Sequence, residues 1–192
     1  MATRTALVQG TDDAVTEALV RRLTVDGFRV TVTDPGSVEP DAAVAEIGSL
    51  DAVVCAVGQP QRALFPDADP QEWFRGVMAT LTPAFRLVRA ATPALRNSAD
   101  GRIVLLGSGW STSDRPASTA ASAVHGAVVA LTKTLARDLG PDGITVNEVV
   151  CDGTVPPAPE AVAAAVSYLC GPTAGAMVGQ LLTLGTGGAL RP

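Results

Sequence analysis

The stretch Gly101–Gly153 constrains this chain more than any other. It opens on GRIVLLGS, a β-branched and leucine-rich run closed by Gly107-Ser108, which reads as a buried strand. A polar, proline-containing loop follows, WSTSDRPAST. Next comes AASAVHGAVVALTKTLARDLG, a long apolar segment with small residues on one side that stops at Gly140-Pro141, as helices do. GITVNEVV forms a second strand and ends at Cys151-Asp152-Gly153. Strand, helix and strand in this span make a crossover unit whose two strands lie parallel.

The rest of the chain repeats the alternation. Thr5–Gln9 is a short apolar strand broken at Gly10, after which Thr11-Asp12-Asp13 cap a helix over Ala14–Val25 with Val15, Leu19 and Leu23 on one face. Phe28–Thr33 is the second strand, closed by Asp34-Pro35-Gly36; a short helix covers Asp41–Ile47, and Asp51–Val57 is the third strand. Residues 69–96 carry a long helical pattern, expected to bend or break near Pro83. Pro159–Cys170 reads as a helix, with the sole tyrosine, Tyr168, packed on the sheet, and Gly179–Leu184 as the last strand. This order predicts an α/β fold, a Rossmann-like doubly wound parallel sheet of about six strands, as a single domain over residues 1–192.

With 47% hydrophobic but only 4% aromatic residues, the core must be built of Ala, Val and Leu. A net charge of −5 and a pI near 4.8 argue against a nucleic-acid or anionic-membrane surface. MATRTALVQG enters a strand without a signal-type apolar region, and no run reaches membrane-span length, so the expectation is a cytoplasmic protein. Cys55, Cys151 and Cys170 fit no metal spacing and are expected as reduced, mostly buried thiols, with no metal site.

The segments GRIVLLGS and ALTKTLARDLGPDGITVN, at this separation, closely resemble the catalytic half of the short-chain dehydrogenase/reductase family. The resemblance covers Ala6 to Leu190, with deletions after Asp34 and after Gly153. It implies an NAD(P)-dependent oxidoreductase scaffold whose strand-end serine, here Ser108, polarises a substrate carbonyl. The family's Tyr-x-x-x-Lys pair falls on Ala121 and His125, and its relay asparagine falls on Thr80. Its TGxxxGxG turn falls on Gln9 to Thr16 and keeps only Gly10. Its NNAG motif falls on Cys55-Ala56-Val57-Gly58 and keeps only Gly58, while Asp34 stands where the fold places the acidic partner of the ribose. Cys151-Asp152-Gly153 replaces a Pro-Gly near the nicotinamide.

These departures have physical consequences. Asp12 and Asp13 stand where the helix N-terminus would receive a pyrophosphate, and each carboxylate repels it by about 1 kcal/mol or more at short range. Only Pro35–Leu50 separates the second and third strands, too little for the extra helix and strand that wall the adenine pocket. No cofactor is therefore expected; NAD(P) would be held by Gly10, Asp34 and Gly58 if that reading fails. His125, the only histidine, lies where the lysine normally points, near Ser122 and Ser108. Asp152 or Asp114 could orient it as an acid or base, with Cys55 and Asp152 at the rim.

Three functional expectations follow. The first is a non-catalytic, pseudoenzyme subunit of a homo- or hetero-oligomer with an active family member. It would pair through the helices around 69–96 and 117–139, with Ala127, Leu131, Thr134 and Leu135 on one contact face and Phe85, Val88 and Ala91 on the other. The second is a repurposed non-redox enzyme (isomerase, dehydratase or cyclase) acting on a small, polyketide-like metabolite with Ser108 and His125. The third is an atypical NAD(P)H-dependent ketoreductase. The Ala-, Val- and Arg-rich composition suggests a bacterial source and secondary metabolism.

Overall fold

The computed structural model describes residues 3–11, 13–36, 40–108, 116–151 and 156–185, with Ser108 described at its backbone. Six parallel strands form one sheet: β1 (Arg4–Gln9), β2 (Phe28–Thr33), β3 (Ala52–Ala56), β4 (Arg102–Ser108), β5 (Thr145–Cys151) and β6 (Leu181–Leu184). Their order is β2-β1-β3-β4-β5-β6. The helices are α1 (Ala14–Val25), α2 (Pro40–Ile47), α3 (Pro70–Leu95), α4 (Thr119–Leu139) and α5 (Pro159–Cys170). This is the Rossmann-like doubly wound architecture expected from the alternation.

Both faces of the sheet are buried, and the period of two along each strand sorts side chains between them. Leu7, Val53, Ile103, Leu105 and Val146 join α3 and α4 in one core. Ala6, Val8, Val54, Val104 and Val149 join α1 and α5 in the other. By that alternation Gly107 follows Leu105, and Glu148 follows Val146, onto the α3–α4 face. The register pairs Leu105 with Glu148 and Ser108 with Cys151, so β4 and β5 end together at one rim.

Local signals explain most element ends. Asp13 caps α1, accepting the Thr16 amide at 2.8 Å, and Asp69 caps α3 by accepting the Glu72 amide at 2.9 Å. α1 is followed by Gly27 at φ 89°. Between β2 and β3 the chain holds only α2, which packs on α3 and leaves β2 an edge strand. That matches the deletion expected after Asp34.

Four expectations need correction. Of the bend or break expected near Pro83, the break does not occur: α3 is one helix through Pro83 and Pro93. Its inner face buries Val77, Ala84, Leu87, Val88, Ala91 and Leu95, each worth roughly 1.5–3 kcal/mol for the larger side chains, which outweighs the ~3 kcal/mol penalty of an interior proline. Val88 and Ala91 are therefore core residues, and of the three proposed contact residues on α3 only Phe85 is exposed. Tyr168 is 47% exposed instead of packed on the sheet, because Val162, Ala163, Val166, Leu169 and Cys170 already fill the inner face of α5. The last strand starts at Leu181, since Gly179 turns at φ 65° and gives its amide to Val146. Among the described residues no helix is long and apolar enough to cross a membrane.

Candidate functional site

A crevice lies at the carboxyl ends of β3, β4 and β5, where ligands bind in open parallel sheets. From α4 it is lined by Ala121, Val124, His125 and Val128. These positions, at i, i+3, i+4 and i+7, share one helix face. Gly107 comes from β4, Glu148 from β5, and Val57, Gly58, Gln59 and Pro60 from the segment after β3. Its volume, about 10 Å³, is room for a single water molecule.

Long-range bonds hold these pieces in place. The Val57 amide donates to the Leu106 carbonyl at 2.9 Å, which carries the turn at Gly58 alongside β4. Arg62 Nη2 donates to the Pro116 carbonyl at 2.7 Å. Trp73 Nε1 donates to Thr119 Oγ1 at 3.0 Å, tying the start of α3 to the first turn of α4. The first turn of α4 is thus fixed from the segment that closes the crevice.

His125 and Ala121 stand where the family motif places the lysine and tyrosine positions, on one face and one turn apart. Ser108 is the last residue of β4, at the rim. Its side chain, Asp114 and Asp152 lie outside the described residues. Ser122 is half-buried in the first turn of α4, its amide donating to the Ser118 carbonyl at 2.8 Å. Thr80 is not in the crevice lining; its hydroxyl donates to the Gly76 carbonyl one turn back at 2.8 Å. Cys55 is not a rim residue. It is fully buried in the core below the crevice, where loss of solvation pushes its thiol up to about 12. Cys170 is likewise buried and pushed up to about 12, Cys151 is half-buried and also raised, and all three are free thiols.

Glu148 is the residue that motif matching misses. It is fully buried, and neither carboxylate oxygen has a hydrogen-bond partner among the described residues. Burial disfavours its ionised form and pushes the carboxyl up to about 7; Thr132 opposes this from α4, although its hydroxyl proton goes to the Val128 carbonyl at 2.9 Å. The available signal is a lone charge in the apolar strand ITVNEVV, on the same side as a core valine.

At the far end of the crevice, the turn from β1 into α1 tests the fit of a dinucleotide. Asp13 Oδ2 accepts from Thr11 Oγ1 at 2.6 Å while Oδ1 takes the Thr16 amide. Desolvation pushes the Asp13 carboxyl up, but these hydrogen bonds outweigh it and hold the group below its usual range, so it stays charged. Gly10 is closed off as well: a Cβ built there would meet Thr16 Oγ1 at 2.4 Å. A pyrophosphate therefore does not fit the α1 N-terminus as the family would place it. Beside it, a cleft of about 580 Å³ is lined by Gly10, Thr11, Thr16, Arg21, Val32 and Asp34. Asp34 accepts the Gly36 amide at 2.7 Å in a local turn, and its side chain is solvent-facing. Asp12 lies outside the described residues, and no group of His, Cys, Asp and Glu suited to a metal occurs among those described.

Residues 4–158 match the sequence profile of a family described as enoyl-(acyl carrier protein) reductase. The 3-oxoacyl-[acyl-carrier-protein] reductase FabG of Escherichia coli (strain K12) is 31% identical over 125 residues, 64% of this chain and 51% of that protein. The enzyme of the same name from Staphylococcus aureus (strain Mu50 / ATCC 700699) is 27% identical over 179 residues, 77% of this chain and 73% of the relative. The chain thus spans about half the length of the first of these curated relatives. Among solved structures, a double mutant of a Serratia marcescens short-chain dehydrogenase/reductase superposes with a TM-score of 0.80 at 27% identity, covering 95% of both chains. The acetoin dehydrogenase of Enterobacter cloacae superposes with a TM-score of 0.86 at 21% identity over 95% of both chains, a likeness of fold.

These matches correct the leading functional expectation. The matched profile and the curated relatives named above are reductases by name, so the pseudoenzyme reading falls. That reading gives too much weight to Ala121 and to the altered glycine turn, which alter how a site works without altering the scaffold's lineage. With more than half its residues matched by the family profile and its whole sheet superposed on family structures, the chain belongs to the short-chain dehydrogenase/reductase family.

Proposed function

We propose that this protein is an oxidoreductase that interconverts a carbonyl compound and the corresponding alcohol in the crevice over β4 and β5. The observation that carries the reading is the placement of His125. Its imidazole ring stands on the crevice face of α4, one turn from Ala121 and beside the end of the Ser108 strand, in a chain whose relatives are reductases. Histidine is the side chain best suited to hold and release a proton near neutral pH. In this reading Ser108 donates a hydrogen bond to the substrate oxygen and His125 supplies its proton. The 3-oxoacyl thioesters named for the relatives are the substrate class to test first.

The family's redox partner is NAD(P)H. Of the three positions considered for it, Gly58 lines the crevice and Asp34 the cleft beside α1, whereas Gly10 is closed off by Thr16 and the α1 N-terminus with Asp13 does not receive its pyrophosphate in the family's way. We read the protein as one domain over residues 1–192 that works as a cytoplasmic oligomer. Support for assembly comes from Phe74, Met78 and Phe85, which form an exposed apolar stripe along α3.

The test is a titration of the purified protein with NADH and NADPH by fluorescence, followed by turnover with a 3-oxoacyl thioester. Saturable micromolar binding with turnover that His125→Ala abolishes supports the reading. No binding at millimolar nucleotide, with either form, overturns it.

A further inference from the structure

Among the described residues two ionisable side chains line the crevice, and the oxidoreductase reading uses only one. Glu148 enters from β5 with its carboxylate fully buried and both oxygens without a partner among the described residues. A carboxyl group kept in a core for structure is normally hydrogen-bonded on both oxygens. This one borders the small crevice instead. The space it occupies exists because Gly107, two residues beyond its register partner Leu105 on β4, carries no side chain: a Cβ there would come within 2.6 Å of Oε1.

The groups around Glu148 leave one candidate partner. From α4 it faces His125, Val128 and Thr132, whose hydroxyl proton already goes to the Val128 carbonyl. From β4 it faces Gly107, and across the crevice lie Gly58, Gln59 and Pro60. Lys133, the nearest cation in sequence on α4, gives its ammonium to the Gly179 carbonyl beyond the helix. Among the described residues His125 is therefore the other titratable side chain that lines the same space, whose volume has room for one water.

We propose that Glu148 and His125 form a coupled pair that holds one exchangeable proton at the floor of the crevice, in place of the family's phenol and ammonium. The inference deepens the oxidoreductase reading and rests on it for its substrate. One proton moves per carbonyl reduced. The substrate oxygen, as it gains the electron pair of the C=O bond, takes the proton from the imidazolium. The imidazole recovers it from the Glu148 carboxyl, and the resulting carboxylate recovers one from water at the crevice mouth. The hydride that balances this proton at the carbonyl carbon would have to be supplied by an external donor of the dihydronicotinamide class, whose binding the nucleotide titration tests separately. Burial that raises the carboxyl group toward neutrality suits it to this exchange.

The test uses the fact that His125 is the only histidine, so its ring protons give a single resolved pair of NMR signals. Their titration is followed from pH 5 to 9 in the wild type and in Glu148→Gln. Coupling predicts that the wild-type curve is displaced to higher pH than the variant's by half a unit or more, or shows two inflections. Superimposable curves overturn the proposal. Should Glu148→Gln fail to fold, the same coupling is read from the Glu148 carboxyl carbon in the wild type and in His125→Gln. Loss of the imidazolium must then raise its midpoint, and an unchanged midpoint overturns the pair. The readout needs no turnover: coupled titration in a protein that reduces no carbonyl keeps the pair and discards the substrate reading, and turnover with uncoupled titration does the reverse.

Discussion

The Glu148 carboxylate on β5 fills the space that Gly107 on β4 leaves open: a Cβ on the glycine would lie 2.6 Å from Glu148 Oε1 and 3.8 Å from Val128 Cγ1. The missing side chain on one strand is what admits the long one on the next. Gly107→Ala is expected to destabilise the protein by about 1–3 kcal/mol through overpacking, measured by urea unfolding. Made on a Glu148→Ala background, the same substitution should have little effect. Additive losses in the double variant would show that the two positions do not compete for one space.

The raised carboxyl of Glu148 makes stability depend on pH. Its folded-state pKa of about 7 lies above the ordinary 4.5. The fold therefore binds this proton more tightly than the unfolded chain does. The contribution is fully present below pH 4.5 and is lost as pH rises through about 7. From this group alone, stability at pH 8 should be lower than at pH 4.5 by roughly 3 kcal/mol. Thermal melts across this range should show the decline in wild type and not in Glu148→Gln.

Asp13 has the opposite sign. Its pKa is held below the usual value by Thr11 and Thr16 against the pull of burial, so its stabilisation is present above about pH 4 and lost as pH falls through the depressed value. Asp13→Ser keeps a cap on α1 without the charge. It should change stability little and raise NADH affinity about 5- to 10-fold by removing one repulsive charge, read by fluorescence titration. Asp13→Ala should cost about 1 kcal/mol.

The apolar stripe of α3 predicts assembly. Phe74, Met78 and Phe85 are each more than half exposed and follow one another along one side of the helix. Met78→Glu should shift the protein to a smaller species in light scattering, with its melting cooperativity retained. An unchanged mass would assign the contact to another face.

The scaffold is legible in the sequence because its signals are local. The apolar run before Gly107, the Asp13 cap and the stop at Gly140-Pro141 each depend on a few neighbouring residues, and the observed elements follow them closely. Sequence reasoning fails where tertiary packing decides. Pro83 carries a strong local penalty, yet six buried side chains keep α3 whole around it. Tyr168 has the hydrophobic bulk of a core residue, but smaller neighbours fill that side of α5. Cys55 belongs at the rim by motif position, while the alternation of β3 turns it into the core. Glu148 escapes motif matching because the matched segment ALTKTLARDLGPDGITVN ends one residue before it. Its significance appears only when Gly107, Val128 and His125 are seen around it.

The edge position of β2 has a consequence for solubility. Among the described residues the strand pairs with β1 alone, so one row of its backbone amides and carbonyls has no described strand beside it. Such a row is a template on which a second chain can add, the first step toward a fibril. The sequence FRVTVT tempers this with a cation and threonines between its valines, and Arg29 reaches over to the Ile47 carbonyl at 3.4 Å, at the end of α2. Val32 remains exposed in the middle of that edge. Arg29 and Thr31 thus act as gatekeepers, and the shortening that distinguishes this chain's sheet makes its colloidal behaviour hinge on two polar side chains.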